Sequence, residues 1–167
     1  MMGLDRYKAS PFLLKKIMNL CRLLWKEKRK YEYVASTIPD KELRRTVLSL
    51  AQESNQYASE LSSQIETLGG IPQTEIFEPE MEVEIENIHD ENDVLAFCKK
   101  NEKKMVKAYT KILNESYLNE SYLYDGLEKM MRYQLNGILC AFMQLKLLNS
   151  LKFHKFREHA NLHQVLL

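Results

Sequence analysis

Apolar residues recur at three- and four-residue spacing at Leu14, Ile17, Met18, Cys21, Leu24, Trp25, Tyr31 and Ala35. That is the period of one face of an α-helix. Thr37-Ile38-Pro39-Asp40 interrupts the stripe, because a proline disfavours helix in the residue before it. The stripe resumes almost at once, with Leu43, Val47, Leu50, Tyr57, Leu61, Ile65 and Leu68. Gly69-Gly70 ends it, since glycine accepts the left-handed conformation that closes a helix. Ser10, followed by Pro11, reads as the first N-cap and Asp40 as the second. Two long helices joined by so short a link have to fold back on each other as an antiparallel hairpin.

The stretch from Ile71 to Glu91 breaks the pattern. Within it Met81-Glu82-Val83-Glu84-Ile85-Glu86 alternates strictly, the period of an extended segment with one apolar side. It reads as a strap along the bundle with Met81, Val83 and Ile85 inward. A third helix is expected from Asn92 or Asp93, carrying Val94, Leu95, Cys98, Met105, Tyr109 and Ile112. The tandem repeat Leu-Asn-Glu-Ser-Tyr, from Leu113 to Tyr122, is expected to form the next turn. A fourth helix carries Leu127, Met131, Ile138, Ala141, Phe142, Leu145 and Leu148. Two short links and one long one leave the second and third helices parallel, because some 20 extended residues can span about 60 Å. The expected fold is an all-α, ferritin-like up-down-down-up four-helix bundle with one long crossover. Residues 1–167 form a single domain, with a core over about 11–150 and a C-terminal helical extension over 151–167, packed on the bundle or on a partner.

Lys and Arg number 24 against 23 Asp and Glu. So balanced a chain lacks the basic excess of a general nucleic-acid binder. No run resembles a signal peptide and no apolar stretch reaches membrane-spanning length. The expectation is a cytoplasmic protein without nucleic-acid or membrane partners. Cys21, Cys98 and Cys140 lie far apart among apolar residues and read as reduced, packed thiols. No Gly-rich phosphate loop, Gly-x-Ser-x-Gly or nucleophile paired with a base is present.

Glu60-Leu61 before a closing Leu68-Gly69-Gly70, and Glu102 followed seven residues later by Tyr109, carry a resemblance. Together with the surrounding stretches from Glu42 to Pro72 and from Asn101 to Tyr109, they resemble a bacterial family of small ferritin-like four-helix-bundle proteins catalogued as a domain of unknown function. The resemblance spans roughly Met18 to Leu148. It implies a bacterial origin and a ferritin-like relationship but no activity. Where the fourth helix of that family tends to carry a histidine eight residues after a Gln, this chain has Phe142 after Gln134.

A di-iron carboxylate centre takes a Glu from each of two helices and a Glu-x-x-His from each of the other two. No histidine falls within the four expected helices: His89 precedes the third, and His154, His159 and His163 lie in the extension. Glu86 and His89 form one Glu-x-x-His, but in the strap and without a mate. No cofactor is therefore expected. The alternative is a di-metal centre of iron or manganese held by Glu32, Glu53, Glu102 and His89. Polar residues nevertheless interrupt every stripe: Lys28, Ser54, Glu102 and Gln134, all near mid-helix. They are expected to form one polar core layer, with Lys28 paired to Glu102 because a buried carboxylate needs a partner. The functional expectation is a non-enzymatic association or stress-related protein that has lost the di-iron ligand set, working as a homodimer or with a protein partner. The competing expectation is a metal-binding or oxidase-type bundle.

Overall fold

The computed structural model describes residues 9–75, 88–115 and 124–165, with side chains as far as residue 150. Over that range the chain is all-α. Among the described residues there are four helices and no strand: α1 Pro11–Thr37, α2 Lys41–Thr67, α3 Glu91–Leu113 and α4 Asp125–Val165. The expected inward row Met81, Val83 and Ile85 and most of the Leu-Asn-Glu-Ser-Tyr repeat lie outside the described residues, as do the side chains of the extension.

The helix ends follow local chemistry. Asp40 caps α2 by accepting the Glu42 N–H at 3.0 Å. Gly69 takes φ +86°, the left-handed turn that stops it. α3 begins slightly earlier than the sequence suggests. Asp90 accepts the Asp93 N–H at 2.8 Å, while the Asp93 carboxylate accepts the His89 N–H at 2.9 Å. This is a reciprocal arrangement that occupies orphan donors at the helix start. Ser10 is the N-cap of α1, but its side chain makes no capping bond. Its backbone N–H instead donates to the Tyr124 hydroxyl at 3.0 Å, tying the start of α1 to the start of α4. α4 runs unbroken for 41 residues, so the expected extension continues the same helix.

α1 packs chiefly on α2 and α3 on α4, with further contacts between α1 and α3 and between α2 and α4. The core divides in two. One cluster joins Leu13, Ile17 and Leu24 of α1 to Leu61 and Ile65 of α2, Tyr109 and Ile112 of α3, and Leu127 and Met131 of α4. The other joins Tyr31 and Val34 to Val47 and Leu50, Leu95 and Cys98, and Ala141 and Leu145.

The face of α1 is rotated from the one expected. Leu13, Leu20 and Val34 are buried, whereas Leu14, Met18 and Trp25 are only partly so. Cys140 also departs from expectation: Cys21 and Cys98 are buried but Cys140 is exposed. α4 is apolar on opposite sides over this stretch, so periodicity alone gave Cys140 no facing.

Candidate functional site

Six polar or charged residues are buried among the described residues: Glu27, Lys30, Ser54, Asn101, Glu102 and Gln134. Five of them fall between the two apolar clusters. On α1, Glu27 and Lys30 sit between Leu24 and Tyr31. On α2, Ser54 sits between Ala51 and Tyr57. On α3, Asn101 and Glu102 sit between Cys98 and Met105. Gln134 of α4 lies within the first cluster, between Met131 and Ile138. Three helices thus meet in a polar layer at the middle of the bundle, and α4 adds Gln134 from the first cluster's side.

Within that layer the Tyr31 hydroxyl donates to Glu102 Oε1 at 2.8 Å. The Tyr109 hydroxyl donates to Gln134 Oε1 at 2.6 Å. Gln134 Nε2 in turn donates to the Tyr57 carbonyl at 3.3 Å. The Lys30 ammonium lies 3.6 Å from Glu27 Oε1, with the two side chains 1% and 0% exposed. Tyr57 reaches across to α4, where only a glycine leaves room: a Cβ on Gly137 would stand 2.0 Å from the Tyr57 oxygen.

Burial controls the ionisation of these groups. It pushes the Glu102 carboxyl up to about 8, against the hydrogen bond from Tyr31 and with the negative charges of Glu53 and Glu27 adding to the rise. Removing a carboxylate from water penalises its charged form. Burial likewise raises Glu53, with the Tyr57 hydrogen bond pulling the other way. Tyr31 is raised by burial and then by Glu102. The Cys98 thiol is pushed well up by burial and by Glu102 and Glu27. Cys21 is pushed up to about 11 by burial. Neither thiol has the lowered pKa of a reactive cysteine.

The expected layer residues Ser54, Glu102 and Gln134 are all in place, but Lys28 is not among them. Its ammonium holds Glu75 at 3.1 Å and Glu32 at 3.4 Å on the flank of α1, with its side chain 17% exposed. The partner of Glu102 is Tyr31, and the buried cation is Lys30. The error is the rotation of the α1 stripe. Trp25 and Met18 drew its centre towards Lys28, whereas centring on Leu13, Ile17, Leu20 and Leu24 carries Glu27 and Lys30 inward. Glu32 is exposed and Glu53 sits half-buried at the margin of the layer. His89 is exposed just before α3, away from the layer. Asn101 was missed because it lies at the edge of the α3 stripe. No group of three or more His, Cys, Asp or Glu side chains is placed to hold a metal ion among the described residues. No helix among them is long and apolar enough to cross a membrane.

Compared with known proteins, the chain matches no family model and no curated sequence.

Proposed function

We propose that this chain is a ferritin-like bundle with one long crossover whose central layer is filled by its own charges, and that it acts by associating with a second copy rather than by catalysis. The shared clusters support the topology. The start of α1 packs with the end of α2, the end of α3 and the start of α4, and the opposite ends pack together in the same way. That pattern fits α2 and α3 running parallel, with the link between them crossing the bundle. The Lys30 ammonium supports a lost ligand set. It stands beside Glu27 in the layer where a metal would sit, and among the described residues the layer offers no imidazole. This donor set does not match the two-Glu, two-Glu-x-x-His set of a di-iron bundle.

The observation that carries association is the outer face of α4. Opposite its core side it presents Tyr133 at 66%, Met143 at 57% and Leu147 at 60% exposure, with Cys140 between them. Tyr133 and Leu147 lie seven residues on either side of Cys140, so they share its face. An antiparallel copy of α4 with its two-fold axis at Cys140 would set each Tyr133 against the second copy's Leu147. Such an interface is self-complementary and closes as a dimer. Sedimentation velocity tests it. Wild type is expected to be a dimer, and Met143→Glu with Leu147→Glu a monomer of unchanged helicity. Mild oxidation should cross-link wild type through Cys140, because Cys21 and Cys98 are buried. A monomeric wild type at micromolar concentration would end this reading.

One observation favours a second reading, a carboxylate-held iron or manganese ion. Glu27, Glu53 and Glu102 come from three helices, and the first two act electrostatically on the third; as they stand the three are not placed to hold an ion, so binding would have to draw them together. Elemental analysis of protein purified without chelator separates the readings. Stoichiometric iron or manganese would favour the second, and much less than one transition metal per chain the first.

A further inference from the structure

The groove between α1 and α3 contains a cleft of about 720 Å³. Lys30 stands on its α1 side. Lys100, Lys103, Lys104 and Lys107 line it from α3, and Phe97 and Asn101 complete the wall. Among the described residues no acidic side chain lines it. In a chain with 24 basic and 23 acidic residues, this is a strong local excess. Among the described residues Lys100, Lys103, Lys104 and Lys107 form no ion pair. The carboxylates of the crossover that are described do not compensate them either, since Glu75 is held by Lys28 and Arg29.

A second observation is independent of charge. Asn101 is 5% exposed, and its Nδ2 donor has no hydrogen-bond acceptor. Buried side-chain donors nearly always have one. Asn101 lines the cleft beside the lysines, with this unsatisfied donor covered just behind the wall.

We propose that this cleft binds a small polyanion carrying several phosphate groups. Phosphate oxygens accept from the lysine ammoniums and, once the Asn101 side chain turns towards the cleft, from its Nδ2. Phe97 supplies an apolar wall, its ring standing edge-on to Tyr31 with centroids 6.2 Å apart. The described cationic lining is all lysine, and ammonium groups bind phosphate as rotatable point charges. Size matters as well. Phe97 to Lys107 covers about 15 Å of helix at 1.5 Å per residue, and the cleft volume falls in the range of small-molecule sites. That is the scale of a tri- or tetraphosphate species, and it is short for a nucleic-acid track.

Isothermal titration calorimetry of the full chain with inorganic tripolyphosphate tests the proposal, with ATP in a parallel titration. One saturable site per chain is expected, weakening as salt rises. Tighter binding of ATP would point to a nucleoside against Phe97, and tighter binding of tripolyphosphate to the phosphate chain alone. Lys100→Gln with Lys104→Gln should weaken binding by about tenfold or more, the scale of losing charged phosphate contacts. Asn101→Leu should weaken it several-fold without lowering the melting temperature. Lys41→Gln with Lys129→Gln removes the same charge elsewhere and should change nothing. The proposal is overturned by absence of saturable binding, or by equal loss in the control pair. It is also overturned if a short single-stranded oligonucleotide binds more tightly through the same lysines. Binding that appears only when Glu78, Glu80, Glu82, Glu84 and Glu86 are all changed to Gln would overturn it too. In that case the lysines serve an acidic segment of their own chain.

Discussion

Glu102→Gln should stabilise this protein in weak alkali and leave it almost unchanged in acid. The Glu102 side chain is 4% exposed, and its carboxyl is raised from an ordinary 4.5 to about 8, mainly by burial. The unfolded chain ionises Glu102 near 4.5, while the folded chain keeps the proton until about 8. Below the lower value both states are protonated and the residue adds no pH dependence. As pH rises from 4.5 towards 8, the unfolded state alone releases its proton and gains relative to the folded one. Each pH unit in that window costs about 1.4 kcal/mol, so the whole interval corresponds to about 5 kcal/mol. That is a large part of the 5–15 kcal/mol typical of a domain. Glutamine has the shape of the neutral acid and keeps an acceptor oxygen for the Tyr31 hydroxyl, but it cannot ionise.

Urea melts of both proteins at closely spaced pH values from 4.5 to 8.5 would measure this. The difference in unfolding free energy, wild type minus variant, should fall steadily through the window and level off above 8. A constant difference would show that Glu102 does not keep its proton on folding. A difference that rises with pH would show a folded carboxylate that is ionised and held by a cation. The account of the layer as a proton-holding site then fails.

Four further substitutions have outcomes that can be read in the same way. Lys30→Met leaves Glu27 buried without its cation and should destabilise by about 3–5 kcal/mol, with Glu27→Leu recovering most of the loss in the double variant; additive losses in a double-mutant cycle would show no coupling. Lys28→Met, whose partners Glu32 and Glu75 are partly exposed, should cost about 1 kcal/mol in the same melts, well below Lys30→Met. Gly137→Ala drives a methyl group against the Tyr57 hydroxyl and should lower stability by about 1–3 kcal/mol. Gly126→Ala meets nothing within 4 Å and should be neutral or slightly stabilising.

Helix number, the α1–α2 turn and the apolar faces of α2, α3 and α4 were legible because each rests on local chemistry. Pro39, Asp40 and Gly69 act within a few residues of themselves, and a stripe such as Leu43, Val47 and Leu50 has one solution at helical period. The site was legible only in outline. Ser54, Glu102 and Gln134 stand alone among apolar neighbours, so their interruption of a stripe was visible. The α1 contribution was not, because that helix is apolar over a broad arc, from Leu13 and Leu20 round to Met18 and Trp25. A shift of its centre by one position exchanges Lys28 for Glu27 and Lys30, and no single-helix argument fixes that shift. It is fixed by Tyr31 reaching Glu102 on another helix, which is a tertiary fact. Cys140 failed for a related reason: a helix apolar on two sides does not say which side is covered.

A buried ion pair is weak evidence of stability, since apolar residues of the same volume often serve as well. The layer is better understood through what it links. Tyr31 of α1 bonds Glu102 of α3, and seven residues along α3 Tyr109 bonds Gln134 of α4. Gln134 bonds the backbone of Tyr57 on α2. Helix joins helix in this way through every member of the bundle. Leucine stripes tolerate sliding by one turn of 5.4 Å, because one leucine fits against another almost anywhere. A hydroxyl that must meet a carboxylate, and a tyrosine that must meet Gly137, do not tolerate it, because each slip buries polar groups without partners. The two apolar clusters therefore supply the driving force for collapse, and the layer between them discriminates among the registers that collapse alone would allow. This is the role in which buried polar groups are best attested, and it accounts for charged groups placed at the middle of the bundle.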